Sequence, residues 1–212
     1  MKDIFRHADE ALMVIYAKVS KEFSRLGTQL GFDELNVLGV QNEIRAMYRR
    51  MDNAIRGSYF EIARLAYLEG LEDARQPAAD FDAKAFVDAI LKAYDPLSDF
   101  VYTREYARKR DRLFESVIAT QIGNQEMRKN LKRGMDVLAN QIRQYADNIT
   151  ISARLQAFED SGIEYGMWVA EKDEKTCPEC LANDGKIYPM AELRTLIPAH
   201  WHCRCIPVPV LN

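Results

Sequence analysis

All four cysteines of the 212-residue chain, and two of its three histidines, fall in the last 36 positions. Cys177 and Cys180 stand two residues apart. A tight turn within and after such a pair lets both thiolates converge on one ion, and Pro178 with the Ala182-Asn183-Asp184-Gly185 run supplies one. Cys203-x-Cys205 follows Cys180 after 22 residues, with His200 and His202 just before it. The pattern therefore predicts that two separated segments meet around a metal ion, most simply a structural zinc. Cys177, Cys180 and Cys203 fill three positions of a tetrahedral site. The fourth falls to Cys205 or His200, and spacing leaves that choice open.

The alternative use of paired cysteines is a disulfide, and the N-terminus argues against it. Asp3, His7, Asp9 and Glu10 precede the seven apolar residues 11–17, too short a run for a secretory leader. No stretch nears the ~20 apolar residues that span a bilayer. A chain kept in a reducing cytosol holds its thiols reduced.

Upstream, the rhythm is helical. Phe5, Ala8, Leu12, Ile15, Val19, Phe23 and Leu26 recur every three or four residues, which puts them on one helix face ending near Gly27 to Phe32. Ile44, Tyr48, Met51, Ile55, Tyr59, Ile62 and Leu65 continue the pattern toward Gly70, with a break expected near Gly57. Val87, Leu91 and Tyr94 mark a short third helix, and residues 95–100 read as a turn. Tyr106, Arg110, Leu113 and Val117 share a face. Met127, Leu131, Met135, Leu138, Ile142 and Tyr145 form another stripe. A last helix through Ile151, Leu155 and Phe158 is expected to end at Ser161-Gly162.

After Gly162 the period changes to two. Residues 163–170 alternate as a strand, Asn183-Asp184-Gly185 reads as a tight hairpin turn, and residues 186–189 as the returning strand. Residues 189–196 suit one short helical turn. Pro207 and Pro209 confine the end of the chain to an edge strand or a tail. The fold expected is mainly α: a multi-helix region over 1–161 and a small, zinc-stapled α+β module over 162–212.

Catalytic signatures are missing. Zinc deaminases pair H-x-E with P-C-x-x-C, whereas Thr176 precedes Cys177 and His7-Ala8-Asp9 is the nearest approach to the first motif. Neither G-x-S-x-G, G-x-x-x-x-G-K-[ST] nor H-E-x-x-H occurs. A closed, cysteine-rich site is a structural one, so the expectation is a non-enzymatic protein without a small-molecule substrate.

The C-terminal residues also carry a resemblance. Trp168, Asp173, Cys177-Pro178-x-Cys180, Asp184-Gly185-Lys186, Pro198, His200 and Cys203-Arg204-Cys205 occur in the order of the C-terminal signature of the phage Mu F-like head-morphogenesis family, the minor head proteins. Residues 95–119 are similar to the upstream part of such minor capsid proteins. Two departures stand out. Residues 147–156 replace an Arg-Thr-Glu-Thr-like stretch, and Trp201-His202 replaces Pro-Asn after the histidine, which adds a spare ligand candidate. The resemblance implies a virion protein of the capsid, acting at or near the portal in procapsid assembly and in DNA packaging or ejection. Its partners would be portal or capsid proteins, with packaged DNA as a further candidate. The rival reading is a zinc-ribbon nucleic-acid-binding regulator, but Glu171, Asp173, Glu174, Glu179 and Asp184 make the cysteine region acidic.

The net charge is −3, yet residues 104–133 hold nine Lys or Arg against four acids. Arg104, Arg108, Lys109, Arg110 and Arg112 form the densest part and are candidates for contact with DNA or an acidic partner.

Overall fold

The computed structural model of the chain describes residues 4–32, 36–95, 100–120 and 125–211. Seven helices are present among these residues: α1 (Arg6–Phe32), α2 (Val37–Asp73), α3 (Ala83–Lys92), α4 (Tyr102–Ile118), α5 (Gln125–Asp160), α6 (Pro178–Asn183) and α7 (Met190–Leu196). The strands are β1 (Tyr94–Asp95) and β2 (Phe100–Val101), then β3 (Tyr165–Val169), β4 (Ile187–Pro189) and β5 (Ile206–Pro209). The first two pair antiparallel, Tyr94 opposite Val101. Of the turn expected at 95–100, residues 96–99 lie outside the described residues.

Two helix boundaries differ from the sequence expectation. The break expected near Gly57 does not occur, and α2 runs unbroken for 37 residues. A helical glycine costs only about 1 kcal/mol, and the buried stripe from Ile44 to Leu71 outweighs it. The two helices expected from Met127 to Phe158 are one helix of 36 residues. Nothing between Tyr145 and Ile151 breaks a helix. Buried side chains instead spread around the axis there: Gln144, Tyr145, Ala146, Asp147, Ile149, Thr150 and Ile151 are all at most 5% exposed. A helix packed on all sides loses its single stripe, which is why it reads as two.

Packing divides the chain into two compact units, neither of them contiguous in sequence. One contains residues 1–10, 59–90 and 144–212; the other contains 11–58 and 91–143. In the first unit, β3 lies between β4 and β5 in an antiparallel sheet. Gly166 and Trp168 face inward while Tyr165 and Met167 face outward. A Cβ on Gly166 would lie 2.5 Å from Leu193 Cδ2 and 3.2 Å from Met190 Cε of α7, so those side chains would have to shift to admit one. Pro207 and Pro209 pair with Trp168 and Gly166 on the edge strand β5, where a residue without an N–H is tolerated.

Asn183-Asp184-Gly185 is not a hairpin turn between neighbouring strands. The α6 helix intervenes, and the tripeptide ends that helix and returns the chain to β4. Asp184 is at φ −56°, ψ 128° and Gly185 at φ +77°, a type II turn closed by Lys186 N–H to the Asn183 carbonyl at 3.1 Å. The α5 helix ends as expected, with Gly162 at φ +70° and Ile163 N–H bonded to the Phe158 carbonyl at 3.0 Å.

The α2–α5 seam of this unit is unusually close. A Cβ on Gly70 would lie 2.7 Å from Ala157 Cβ and 3.2 Å from the Arg154 Cα and carbonyl oxygen. Backbone cannot yield as a flexible side chain can, so Gly70→Ala should destabilise the protein by about 1–3 kcal/mol despite its better helix propensity. Gly57→Ala, with nothing within 4 Å of its Cβ, should instead stabilise it slightly; paired thermal melts give both signs.

Candidate metal centre

Cys177 is the N-cap of α6 at φ −72°, ψ 157°, with Pro178 pre-set for the first helical position. Its sulfur accepts the Cys180 backbone N–H at 3.3 Å. This local turn aims both thiols the same way. His200 arrives on the loop after α7, with Nε2 at 3.3 Å from Cys177 Sγ and 3.2 Å from Cys180 Sγ. Cys203 Sγ lies 3.9 Å from Cys180 Sγ.

The structure thus brings all five expected donors together. They form two groups, Cys177/Cys180/His200 and Cys180/Cys203/Cys205, and within each the ligand atoms lie within 4.8 Å of one another. Cys180 belongs to both. All four cysteines are free thiols, and Cys180, Cys203 and Cys205 are at most 2% exposed. The cluster could hold a metal ion. His202, the spare candidate, joins neither group. It is exposed at φ +56°, and its role is that of a backbone donor, its N–H reaching Gln144 Oε1 at 2.7 Å.

Several groups that fix the donors are not legible in the spacing. His200 Nδ1 sits 2.8 Å from the Trp201 carbonyl, so Nδ1 carries the hydrogen and Nε2 turns its lone pair to the sulfurs, the arrangement of a ligating imidazole. Gln144, 1% exposed on α5, ties the histidine loop to that helix. Asp173 accepts a two-pronged bond from Arg204 at 2.5 and 2.6 Å, joining the loop before Cys177 to the residue between Cys203 and Cys205. Asp184 accepts the Ala170 N–H at 3.0 Å and the Lys172 ammonium at 2.8 Å. Asp173 and Asp184 thus act as clamps for the loop.

The donors compete for protons. Burial pushes the Cys180 thiol up to about 12. A hydrogen bond from Cys205 holds Cys203 down at about 5, and that same bond raises Cys205. Cys177 is lowered, first by the Cys180 N–H, and His200 is raised, first by its bond to Trp201. A hydrogen bond from the Trp168 side chain works the other way on Cys205, lowering its thiol. Crowded thiols of this kind cannot all ionise alone, and a cation is what allows them to.

The family comparison coincides with this geometry. The family model described as Phage Mu protein F like protein matches residues 110–208, a span that contains all five donors and the Arg204 clamp. That span, a little under half of the chain, is similar to the phage Mu protein F like family. Comparison with curated proteins and with solved structures returned no match. The Mu F-like segment begins inside α4 and ends in β5, so it takes in the whole of α5 as well as the cysteine module. The match points to a phage head-related protein. No described helix is long and apolar enough to cross a membrane.

Of the basic residues singled out in sequence, Arg104 and Arg112 are exposed. Arg108 and Lys109 both reach the buried Glu105, at 2.7 and 2.8 Å, and Arg110 reaches Asp111 at 2.8 Å. Three of the five are therefore partly neutralised within α4.

Proposed function

We propose that this is a minor head protein that acts by binding at or near the portal during procapsid assembly, with a zinc ion as a structural staple and no catalytic step. The observation that carries the reading is the family match, with the complete donor cluster inside it. The donor chemistry agrees. With Zn–S bonds of ~2.3 Å and Zn–N bonds of ~2.0–2.1 Å, tetrahedral ligands stand about 3.8 Å apart for two sulfurs and about 3.6 Å for sulfur and nitrogen. The observed 3.9, 3.3 and 3.2 Å lie within a few tenths of an ångström of these. Cys177, Cys180 and His200 would hold the ion, and Cys203, which groups with Cys180 and Cys205 rather than with Cys177 and His200, would supply the fourth ligand, with Cys205 beside it. Sulfur and imidazole donors without a carboxylate in either group suit zinc rather than calcium or magnesium.

The test is direct. Mass spectrometry of purified procapsids and virions should find the chain in at least one of them, and the purified protein should co-sediment with portal assemblies. Absence from both particles, together with recognition of one particular DNA sequence, would replace this reading with that of a zinc-ribbon regulator.

A further inference from the structure

The 11–58 and 91–143 unit carries two clefts on either side of Tyr48, and both are lined with cations. One, of 220 Å³, lies between α2 and α4 and is lined by Arg45, Arg49, Arg56 and Arg110. The other, of 260 Å³, lies between α4 and α5 and is lined by Lys109, Arg112 and Arg133. Tyr48, 2% exposed, contributes to both. It is held from behind by Tyr106, whose hydroxyl donates to the Tyr48 carbonyl at 2.8 Å.

Arg45, Arg49 and Arg56 are four and seven residues apart, which places them on one face of α2. Acids neutralise only part of this set. Asp52 takes Arg56 at 2.9 Å, while Asp111 and Glu105 take Arg110 and Lys109 at 2.8 Å each. Arg45, Arg49, Arg112 and Arg133 are exposed and have no ion pair among the described residues.

We infer that these paired clefts bind the phosphodiester backbone of a nucleic acid. Six of the seven cations are arginines, whose planar guanidinium meets phosphate two-pronged where lysine offers only a point charge. The uncompensated arginines divide between two clefts that share one floor. A ligand satisfying both must present negative charge at repeated intervals, as a phosphate backbone does and a single carboxylate does not. The surface runs against the net charge of −3, so it is local rather than a consequence of composition. Arg45 and Arg49 come from α2, far in sequence from the 104–133 run, which is why that run alone did not reveal the site. The inference stands independently of the head-protein reading.

Fluorescence anisotropy of the full chain with a mixed-sequence DNA duplex tests it. Binding should be independent of sequence, and log K should fall linearly with log salt with a slope of about −4, as for four to five phosphate contacts. Arg45→Gln with Arg49→Gln should flatten the slope by about two and weaken binding at least about tenfold at ~0.1 M salt. Arg112→Gln with Arg133→Gln should do the same from the other cleft. Arg50→Gln is the control, because its side chain is held by Glu22 at 2.8 Å and lines neither cleft. Circular dichroism confirms that each variant is folded. The proposal is overturned if folded double variants keep the wild-type slope, if binding selects a base sequence, or if poly-glutamate binds while DNA does not. The last result would assign the clefts to an acidic protein surface.

Discussion

Chelation of the metal, or Cys180→Ser, is expected to loosen far more than the cysteine loops. Cys180, Cys203 and Cys205 are themselves part of the hydrophobic core, packed with Trp168, Leu193 and Ile197, and with Ile151, Leu155 and Phe158 from the end of α5. Phe5 and Ala74 join the same cluster. Structural zinc contributes about 10–16 kcal/mol of apparent binding free energy, comparable to the whole stability of an ordinary domain. Its loss leaves buried thiols of like character facing one another with no cation between them. Hydrogen exchange should therefore rise across β3, α6, β4, α7 and β5 and also through the last turns of α5, while residues 11–58 stay protected. Metal analysis of protein purified without chelator should find about one zinc per chain. Cys203→Ser should lose it, whereas Cys205→Ser should retain close to one equivalent with a lower affinity. A metal-free native protein with all four thiols freely titratable would sink the idea, and retention by Cys203→Ser with loss by Cys205→Ser would reverse the ligand assignment.

The second large effect is expected at Arg154, in the middle of a helix and 1% exposed. Its guanidinium reaches Asp73 and lies 3.7 Å from Glu69, with the Phe158 ring 5.8 Å from its centre. Glu69 in turn meets His7 Nε2 at 3.2 Å. Arg154 thus joins α1, α2 and α5 inside one unit, beside the close Gly70–Ala157 contact. Removing one member of a buried ion pair leaves the other charge uncompensated, a loss of about 3–5 kcal/mol. Asp73 is 28% exposed, so water recovers part of that, and Arg154→Met should cost about 3 kcal/mol. For a chain of this length that is a fall in Tm of roughly 6–12 °C. A double-mutant cycle with Asp73→Asn isolates the pair, and a coupling energy indistinguishable from zero would show that Arg154 acts through packing alone.

Whether these effects could have been read in advance differs from element to element. The apolar stripes from Ala8 to Phe158 lie on helices, since a 3.6-residue period selects one backbone, except that Tyr94, expected on the third helix, falls in β1 after α3 ends at Lys92. Helix ends written in backbone chemistry were equally legible, as at Gly162. Joins were not. Gly57 reads as a break because glycine lacks helix propensity, but buried neighbours carry α2 through it. The α5 helix reads as two because burial all round erases its stripe. In the site, the cysteine spacing and His200 were legible as donors, since few other uses gather thiols so tightly. The Asn183-Asp184-Gly185 turn was recognised, but its partners were not, because local dihedral preference carries no information about which element follows.

The sequence by itself determined the helical class, the presence of a donor cluster, the family signature and the excess of basic charge, all properties of residue type and short-range period. Only the tertiary structure decided what meets what. It brought His200 to Cys177 and Cys180 with its tautomer set by Trp201, tied the histidine loop to Gln144, merged the cysteine module with the end of α5 into one core, and placed Arg45 and Arg49 beside α4. These are contacts between residues tens of positions apart. Their formation depends on the balance between loop-closure entropy and the surface each contact buries, and that balance belongs to the whole packed unit rather than to any window of the chain.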